Sequence, residues 1–599
     1  MSQKTVRIGG GSGYWGDTQT APQQLVEKGQ INYLVFDYLA ENTMSVLARA
    51  RAQSKDDGYA IDFVTLVMKP LIKQIVERGI KVVANAGGVN LEACGAALAR
   101  VAEEAGVKIK IGLVTGDDLM PQEAKLRSAG VEEMFTGQPL PGKLMSMNAY
   151  LGALPIAAAL DAGADVVVTG RCVDSAVSLG PLVHELGWKA DDCDKLAAGT
   201  LAGHLIECGA QVTGGNFTDW RDVADGWDDM GFPIVECHAD GSFVLTKPEG
   251  TGGLVSPLSV GEQMLYEIGD PQAYVVPDVV CDFSRVTMEQ VGPNRVLVRG
   301  ARGYPPTPTY KVSTTYRDGF RSTGIMTITG FDAVEKARMD LTAIVAKTRR
   351  LFRERGLKDY RGTASHVIGS ETLWGGNAWP DAALSREVVA RLDVHHDERD
   401  AVELFSKEFT GMGLCTSTGR CPAGPTGRPK VTPVVRLYSF LVPKGDVPVR
   451  VTVDGREVPV RIPTAGGYDR NRVDQNRAGA DSLPEGARTT VPLIRLAVAR
   501  SGDKGNDANI GVIARRPEYL PAIRRALTEE AVAKYFGHVL EGKVDRYEVP
   551  GIHGLNFVLH DTLGGGGPAS LHLDHQAKTY AQQILAHRVE IPEVWLGGL

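Results

Sequence analysis

Val166-Val167-Val168-Thr169-Gly170-Arg171-Cys172-Val173-Asp174-Ser175 reads as a buried strand that stops abruptly on polar groups. Three consecutive valines are apolar and β-branched, which suits a strand covered on both faces. The same arrangement occurs four times upstream. Val6–Ile8 runs into Gly9-Gly10-Gly11-Ser12-Gly13, and Tyr33–Phe36 into Asp37. Val82–Ala84 runs into Asn85-Ala86-Gly87-Gly88, and Gly112–Val114 into Thr115-Gly116-Asp117-Asp118. Helices are expected between and after these runs, at Pro22–Lys28, Ala40–Gln53, Thr65–Arg78, Leu91–Glu104, Met147–Ala162 and Ser175–Leu186. Leu66, Met68, Leu71, Ile72 and Ile75 show the apolar spacing of a helix face. Strands that alternate with helices form βαβ units on a parallel sheet. The carboxyl ends of such strands line one crevice, where ligands bind. The five polar stops are therefore predicted to converge on one anion-tolerant site.

Further along, the pattern changes. Residues 191–463 carry one more helix, near Asp194–Cys208, and then short alternating strands such as Val296–Arg299, Tyr310–Ser313 and Gly324–Thr329. Helix is expected again at Ala333–Arg355 and Ala383–Leu392. Residues 464–490 are nearly free of large apolar side chains and have the composition of a linker. Residues 491–599 begin with strand Leu493–Ala499, a polar loop and strand Ile510–Ile513. They continue through helices Leu520–Leu527 and Glu529–Phe536, strands Val544–Val549 and Leu555–Leu559, and helix His572–His587. The expected fold class is α/β: an N-terminal open, mostly parallel sheet with helices on both faces (1–190), an α+β second lobe (191–463), and a small C-terminal ferredoxin-like α+β domain (491–599).

The bulk numbers narrow the function. At 599 residues the chain has room for about three domains. Its net charge of −7 argues against nucleic acid as the main partner. No apolar run reaches the ~20 residues of a membrane helix. The N-terminus enters a strand directly, so no signal peptide is expected, and a cytoplasmic location follows. The eight cysteines lack Cys-x-x-Cys spacing and read as reduced thiols.

Several motifs could carry chemistry. Gly11, Gly13 and Gly16 follow a strand, and Asp37 ends the next one, formally a dinucleotide fingerprint. Tyr14 and Trp15 crowd that turn, and Pro22 marks a late helix start. The loop then cradles another anion, with Gly11, Ser12 and Gly13 as donors, or is a structural turn. Asp37, Asp117 and Asp174 are the candidate general bases, with Asp17, Glu41 and Asp118 also near the crevice. Helix capping is the alternative role for Asp17, Asp117 and Asp174. Asn85, Gly87, Gly88 and Asn216 stand at polar turns that could hold anionic oxygens. Arg171 could clamp a carboxylate or phosphate, or pair with a neighbouring acid.

His204, Glu207, Cys208 and Gln211 share one helix face, as an acid–base pair, half a metal site or a packed polar face. Asp503, Lys504 and Asn506 lie in Arg500–Asn509, which reads as an anion-binding nest or a solvated loop. His572 and His575 flank Asp574, but no ligand set matches a zinc pattern, so no metal is expected.

The stretches 9–17, 85–90, 167–175 and Gly214-Gly215-Asn216-Phe217 together resemble the AtuA family of acyclic terpene utilisation proteins. Residues 500–511 resemble the ferredoxin-like domain often found C-terminal to it. The resemblance implies a cytoplasmic role in catabolism of citronellol- and geraniol-type compounds through CoA thioesters. The expectation is a homo-oligomeric enzyme acting on a branched acyl-CoA thioester, a hydratase/dehydratase or C–C lyase, with no tightly bound cofactor. Two alternatives stay open: a non-catalytic partner subunit of an acyl-CoA carboxylase, and an NAD(P)-dependent oxidoreductase.

Overall fold

In a computed structural model of the chain, residues 4–423, 427–473, 475–476 and 482–598 are described. Five strands run parallel: Thr5–Gly10, Tyr33–Phe36, Lys81–Ala84, Val166–Thr169 and Ile111–Thr115, in that spatial order. Their side chains alternate between two cores. Ile8, Tyr33, Val35, Val83 and Val167 face one, with the helices Leu154–Asp161, Ala176–Leu186 and Cys193–Ile206. Leu34, Phe36, Val82, Ala84 and Val168 face the other, with Thr20–Lys28, Lys69–Glu77 and Leu91–Ala105. Burial on both faces explains why these strands are continuous apolar runs. Because all five point the same way, Gly10, Phe36, Ala84, Thr115 and Thr169 end on one edge.

The boundary expected near residue 190 does not divide this sheet. Strands Ile234–His238, Phe243–Thr246, Arg295–Arg299 and Thr287–Gly292 extend it antiparallel on one side. Arg450–Val453 and Arg456–Val458 extend it on the other, giving eleven strands.

A second sheet is built on Thr309–Thr329, a strand of 21 residues. Tyr310–Ser313 and Gly324–Thr329, expected as two strands, are its two ends, with a register shift between Arg317 and Phe320. Its partners include Leu144–Ala149, Glu387–His396 and Thr432–Pro443. Two expected helices give way here. Met147–Ala162 splits into the strand ending at Ala149 and a helix that starts at Leu154 with Pro155 in its first turn. Ala383–Leu392 becomes strand from Glu387 onward because Val389 and Ala390 pair on both sides, with Thr309–Thr329 and Gly362–Ile368. Tertiary pairing overrides local propensity in both cases.

The C-terminal unit is a four-stranded antiparallel sheet, in the order Ala497–Lys504, Asp507–Ala514, Gly554–Leu559, Val544–Val549. Helices Leu520–Ala526, Glu529–Tyr535 and Tyr580–Ile584 complete it. Most of the expected helix His572–His587 does not form. The Asp574 carboxylate takes the N–H groups of Lys578 and Thr579, and such local side-chain bonds compete with helix. The described part of 464–490 holds a short helical turn and the start of strand Arg488–Pro492, and it touches its neighbours: Arg470 donates to Asp270 at 2.6 Å. Among the described residues, no helix is long and apolar enough to cross a membrane.

Candidate active site

The five strand-end loops interlock through buried polar groups. Ser12 Oγ donates to the Asp37 carbonyl at 3.3 Å. Asn85 Nδ2 donates to Asp37 Oδ1, while Asn85 Oδ1 accepts from Tyr38 N at 2.7 Å. Asp117 Oδ2 accepts from Arg171 N at 2.8 Å and from Asn148 Nδ2 at 2.9 Å. A Cβ at residue 170 would collide with the Asp117 carboxylate, so only glycine lets these two loops approach. Burial pushes the Asp117 carboxyl up to about 7, against the lowering effect of the Arg171 N–H. Burial, and then the nearby Asp174, also hold Asp37 well above the usual carboxylate range.

Arg171 is the centre of the site and is 3% exposed. Its Nη1 donates to Asp174 Oδ1 at 2.8 Å and to the Cys172 carbonyl at 3.1 Å. Its guanidinium lies 4.3 Å from the centre of the Tyr150 ring, and Lys311 Nζ lies 5.0 Å from the same ring. The Tyr150 hydroxyl donates to Glu41. Although burial opposes it, the charges of Arg171 and Lys311 bring the Glu41 carboxyl down to about 2. Arg171 Nε is buried without a partner. A missing partner of this kind costs about 1–3 kcal/mol, so this nitrogen gains from any acceptor that reaches it.

A second element approaches from the helix Cys193–Ile206. His204 Nε2 sits 3.2 Å from the Met264 carbonyl and Nδ1 sits 3.0 Å from Glu207 Oε1. A carbonyl only accepts, so Nε2 carries a proton. The His204–Glu207 contact then needs one further proton, on Nδ1 or on the carboxyl. Burial raises the Glu207 carboxyl, with His204 pulling it back. Glu207 Oε2 is buried with no partner, and Glu207 shares an electrostatic environment with Asp37 and Asp174.

The third side comes from the C-terminal unit. Arg500–Asn509, expected as a polar loop, is instead a tight hairpin: its strands run to Lys504 and from Asp507, turning at Gly505 with φ +66°. Arg500 inserts into the larger unit, donating to Glu262 Oε2 at 2.9 Å, Gln211 Oε1 at 3.0 Å and the Gly215 carbonyl at 3.1 Å. Asn509 Nδ2 donates to the Leu265 carbonyl at 2.6 Å. Lys504 is thereby presented beside Glu267, at 3.8 Å, and within electrostatic range of Asp174, Glu207 and Glu41. Its side chain remains 57% exposed, so the crevice is open to solvent there. Lys578 bridges Asp503 at 3.1 Å and Glu267 at 3.0 Å.

The glycine loop does not fit a dinucleotide. The C-terminal end of helix Cys193–Ile206 lies across it: a Cβ at residue 10 would stand 2.6 Å from the Ile206 carbonyl, and one at residue 13 would stand 3.0 Å from Cys208 backbone. These glycines admit a helix end, not a pyrophosphate. Asp37 faces Asn85 instead of an open ribose site.

Other residues read from the sequence have local duties. Gly87 N bonds the Thr169 carbonyl at 3.0 Å, and Gly87 and Gly88 are both packed against neighbouring backbone. Asn216 donates to Gln211 at 3.1 Å, at the edge of the unit interface. Asn506 ties the hairpin tip to Asp561 and to Gly565 N within its own unit. Asp17 and Asp118 accept N–H groups of their own turns. Tyr150, Lys311, Glu267 and Lys578 carry no local motif and join the site only through tertiary structure. Asn148 and Lys311 lie on paired strands of the second sheet, one of them expected as helix.

A family model for the AtuA ferredoxin-like domain matches residues 491–590. Neither the curated proteins nor the solved structures give a match. A second model, described as acyclic terpene utilisation family protein AtuA, matches residues 6–453, which spans the eleven-stranded sheet almost whole and every strand-end loop of the crevice, and the chain belongs to that family.

Proposed function

We propose that this protein is a cytoplasmic catabolic enzyme of acyclic terpene degradation that acts on a branched acyl-CoA thioester as a hydratase/dehydratase or lyase. The observation that carries the reading is a proton shared by His204 and Glu207 beside a second buried acid, Asp37, in a crevice that also offers cations. Addition of water to a conjugated thioester needs a proton delivered to the α-carbon and one removed from the attacking water. It also needs donors for the oxygen that gains charge. Asp37, raised well above the usual carboxylate range by burial, fits the acid that delivers a proton to the α-carbon, and Glu207, with the shared proton on His204, fits the base that takes one from water. Arg171 fits the charge-stabilising donor. Asp174, on Arg171, and Asp117, on the Arg171 backbone, act as positioning residues.

The test uses the full chain with 3-methyl-branched 2-enoyl-CoA thioesters in heavy water. Hydration and deuterium uptake at the α-carbon are followed by mass spectrometry. Glu207→Gln keeps a donor toward His204 Nδ1 but cannot take up a proton. It is expected to lower exchange about 10²–10⁴-fold while stability stays near wild type. Asp37→Asn, which resembles the protonated acid, is expected to behave likewise. A wild-type protein that neither hydrates nor exchanges any thioester in the series would sink this reading and favour the carboxylase-subunit alternative.

A further inference from the structure

Each of three structural units sends one cation to this part of the crevice: Arg171 and Lys311 lie on the Tyr150 ring, and Lys504 is within electrostatic range of Lys311. Arg171 comes from the parallel sheet, Lys311 from strand Thr309–Thr329 of the second sheet, and Lys504 from the C-terminal hairpin. None has its bonding capacity filled. Arg171 Nε is buried and unpartnered. Among the described residues Lys311 Nζ makes no hydrogen bond or ion pair and has only the Tyr150 ring at 5.0 Å. Lys504 Nζ has Glu267 at 3.8 Å, beyond hydrogen-bond range. Ser175 Oγ, next to Asp174, is a further buried hydroxyl without a partner.

We propose that Arg171, Lys311 and Lys504 together form a seat for one anionic, oxygen-bearing group, a carboxylate or phosphate of the ligand, and that the seat is complete only when the C-terminal unit is docked. The inference rests on the crevice being a ligand site, as in the reading above, and adds where the ligand's negative charge goes. Charge balance supports it. Among the acids around the junction, burial and neighbouring charge keep Asp37 and Asp503 toward the neutral form. Glu207 shares a proton with His204. Lys578 offsets Glu267. Glu41 and Asp174 are the acids within electrostatic range of Arg171 and Lys311, and both already have partners of their own, the Tyr150 hydroxyl and Arg171 Nη1. Burial lowers the ammonium of Lys311, and the Lys504 and Arg171 charges act in the same direction. An incoming anion eases the repulsion among the cations and gives the unpaired donors a partner.

Binding is measured on the full chain by titration calorimetry with two sets of probes. Inorganic phosphate and CoA form one set, and 3-methylbut-2-enoate and 3-methylglutarate form the other. Lys311→Met and Lys504→Met are each expected to weaken the seated class about tenfold, or ~1.4 kcal/mol. Lys504→Arg is expected to restore binding. Lys358→Met, at an exposed lysine beside Asp397, serves as a control and is expected to have no effect. Losses confined to the carboxylates place the acyl end at the seat. Losses confined to phosphate and CoA place the CoA phosphates there. Wild-type affinity for every probe in both lysine variants would overturn the proposal, as would no binding of any probe by the wild type. Thioester turnover separates the two readings. Turnover with unchanged KM and kcat in both variants removes the seat and leaves the reaction. Lysine-dependent probe binding without turnover removes the reaction and leaves the seat.

Discussion

Asp117 is 1% exposed, yet it holds two loops together by accepting from Arg171 N and Asn148 Nδ2. Burial raises its carboxyl from the ordinary range to about 7. The folded protein therefore binds this proton more tightly than the unfolded chain. The stabilisation is complete below about pH 4 and is lost as pH rises toward 7. We expect Asp117→Asn to remove up to one proton's worth of slope from stability between about pH 4 and pH 7, ~1.4 kcal/mol per pH unit. Urea denaturation of both proteins across that range checks it, and equal slopes would refute the assignment. At this scale the sequence was informative about which acids end strands and silent about their duties. Asp17, Asp118, Asp117 and Asp37 look alike in the chain. Two bond their own turns, one pins an arginine backbone, and one meets an asparagine across the sheet.

The hairpin Ala497–Lys504 with Asp507–Ala514 shows how an element places a side chain. It lies directly on helix Pro257–Leu265, and a Cβ at residue 511 would overlap Leu265 Cβ while one at residue 502 would stand 2.7 Å from Glu267 Cγ. We expect Gly511→Ala to cost about 1–3 kcal/mol through overpacking and to raise KM by displacing Lys504. Gly505→Ala, at the turn with φ +66° and nothing near the new methyl group, costs about 1 kcal/mol of backbone strain and leaves KM unchanged. Thermal unfolding with steady-state kinetics separates the two. Equal KM effects would mean that close packing is not what positions the lysine. The sequence of this stretch suggested a loop because Gly, Asp, Lys and Asn favour turns. Pairing along the whole length of both strands won instead, since Gly554–Leu559 satisfies the outer backbone edge of Asp507–Ala514.

Across the whole molecule, the junction of the units is held by polar groups buried between them. Arg500 and Glu262 form an ion pair with side chains 7% and 0% exposed. Removing one partner of such a pair leaves a charge unpaired in the interior and costs about 3–5 kcal/mol. Arg500→Leu is therefore expected to lower Tm and to split calorimetric unfolding into two transitions as the C-terminal unit undocks. Arg500→Leu with Glu262→Leu is expected to recover most of the loss. A single unchanged transition in Arg500→Leu would show that the pair does not couple the units. What the sequence determined by itself was the parallel sheet and its polar edge, because strands buried on both faces must be continuous apolar runs and end where polar side chains take over the hydrogen bonding. It also marked the ferredoxin-like unit by its own run of strands and helices. What only the tertiary structure decided was the division of the chain between two sheets and the make-up of the crevice. Leu144–Ala149 and Glu387–His396 are strands because Thr309–Thr329 offers them hydrogen bonds. Arg171, Lys311 and Lys504 meet because three units close on one edge. Contacts between residues hundreds of positions apart leave no periodicity in the sequence, so neither result was legible there.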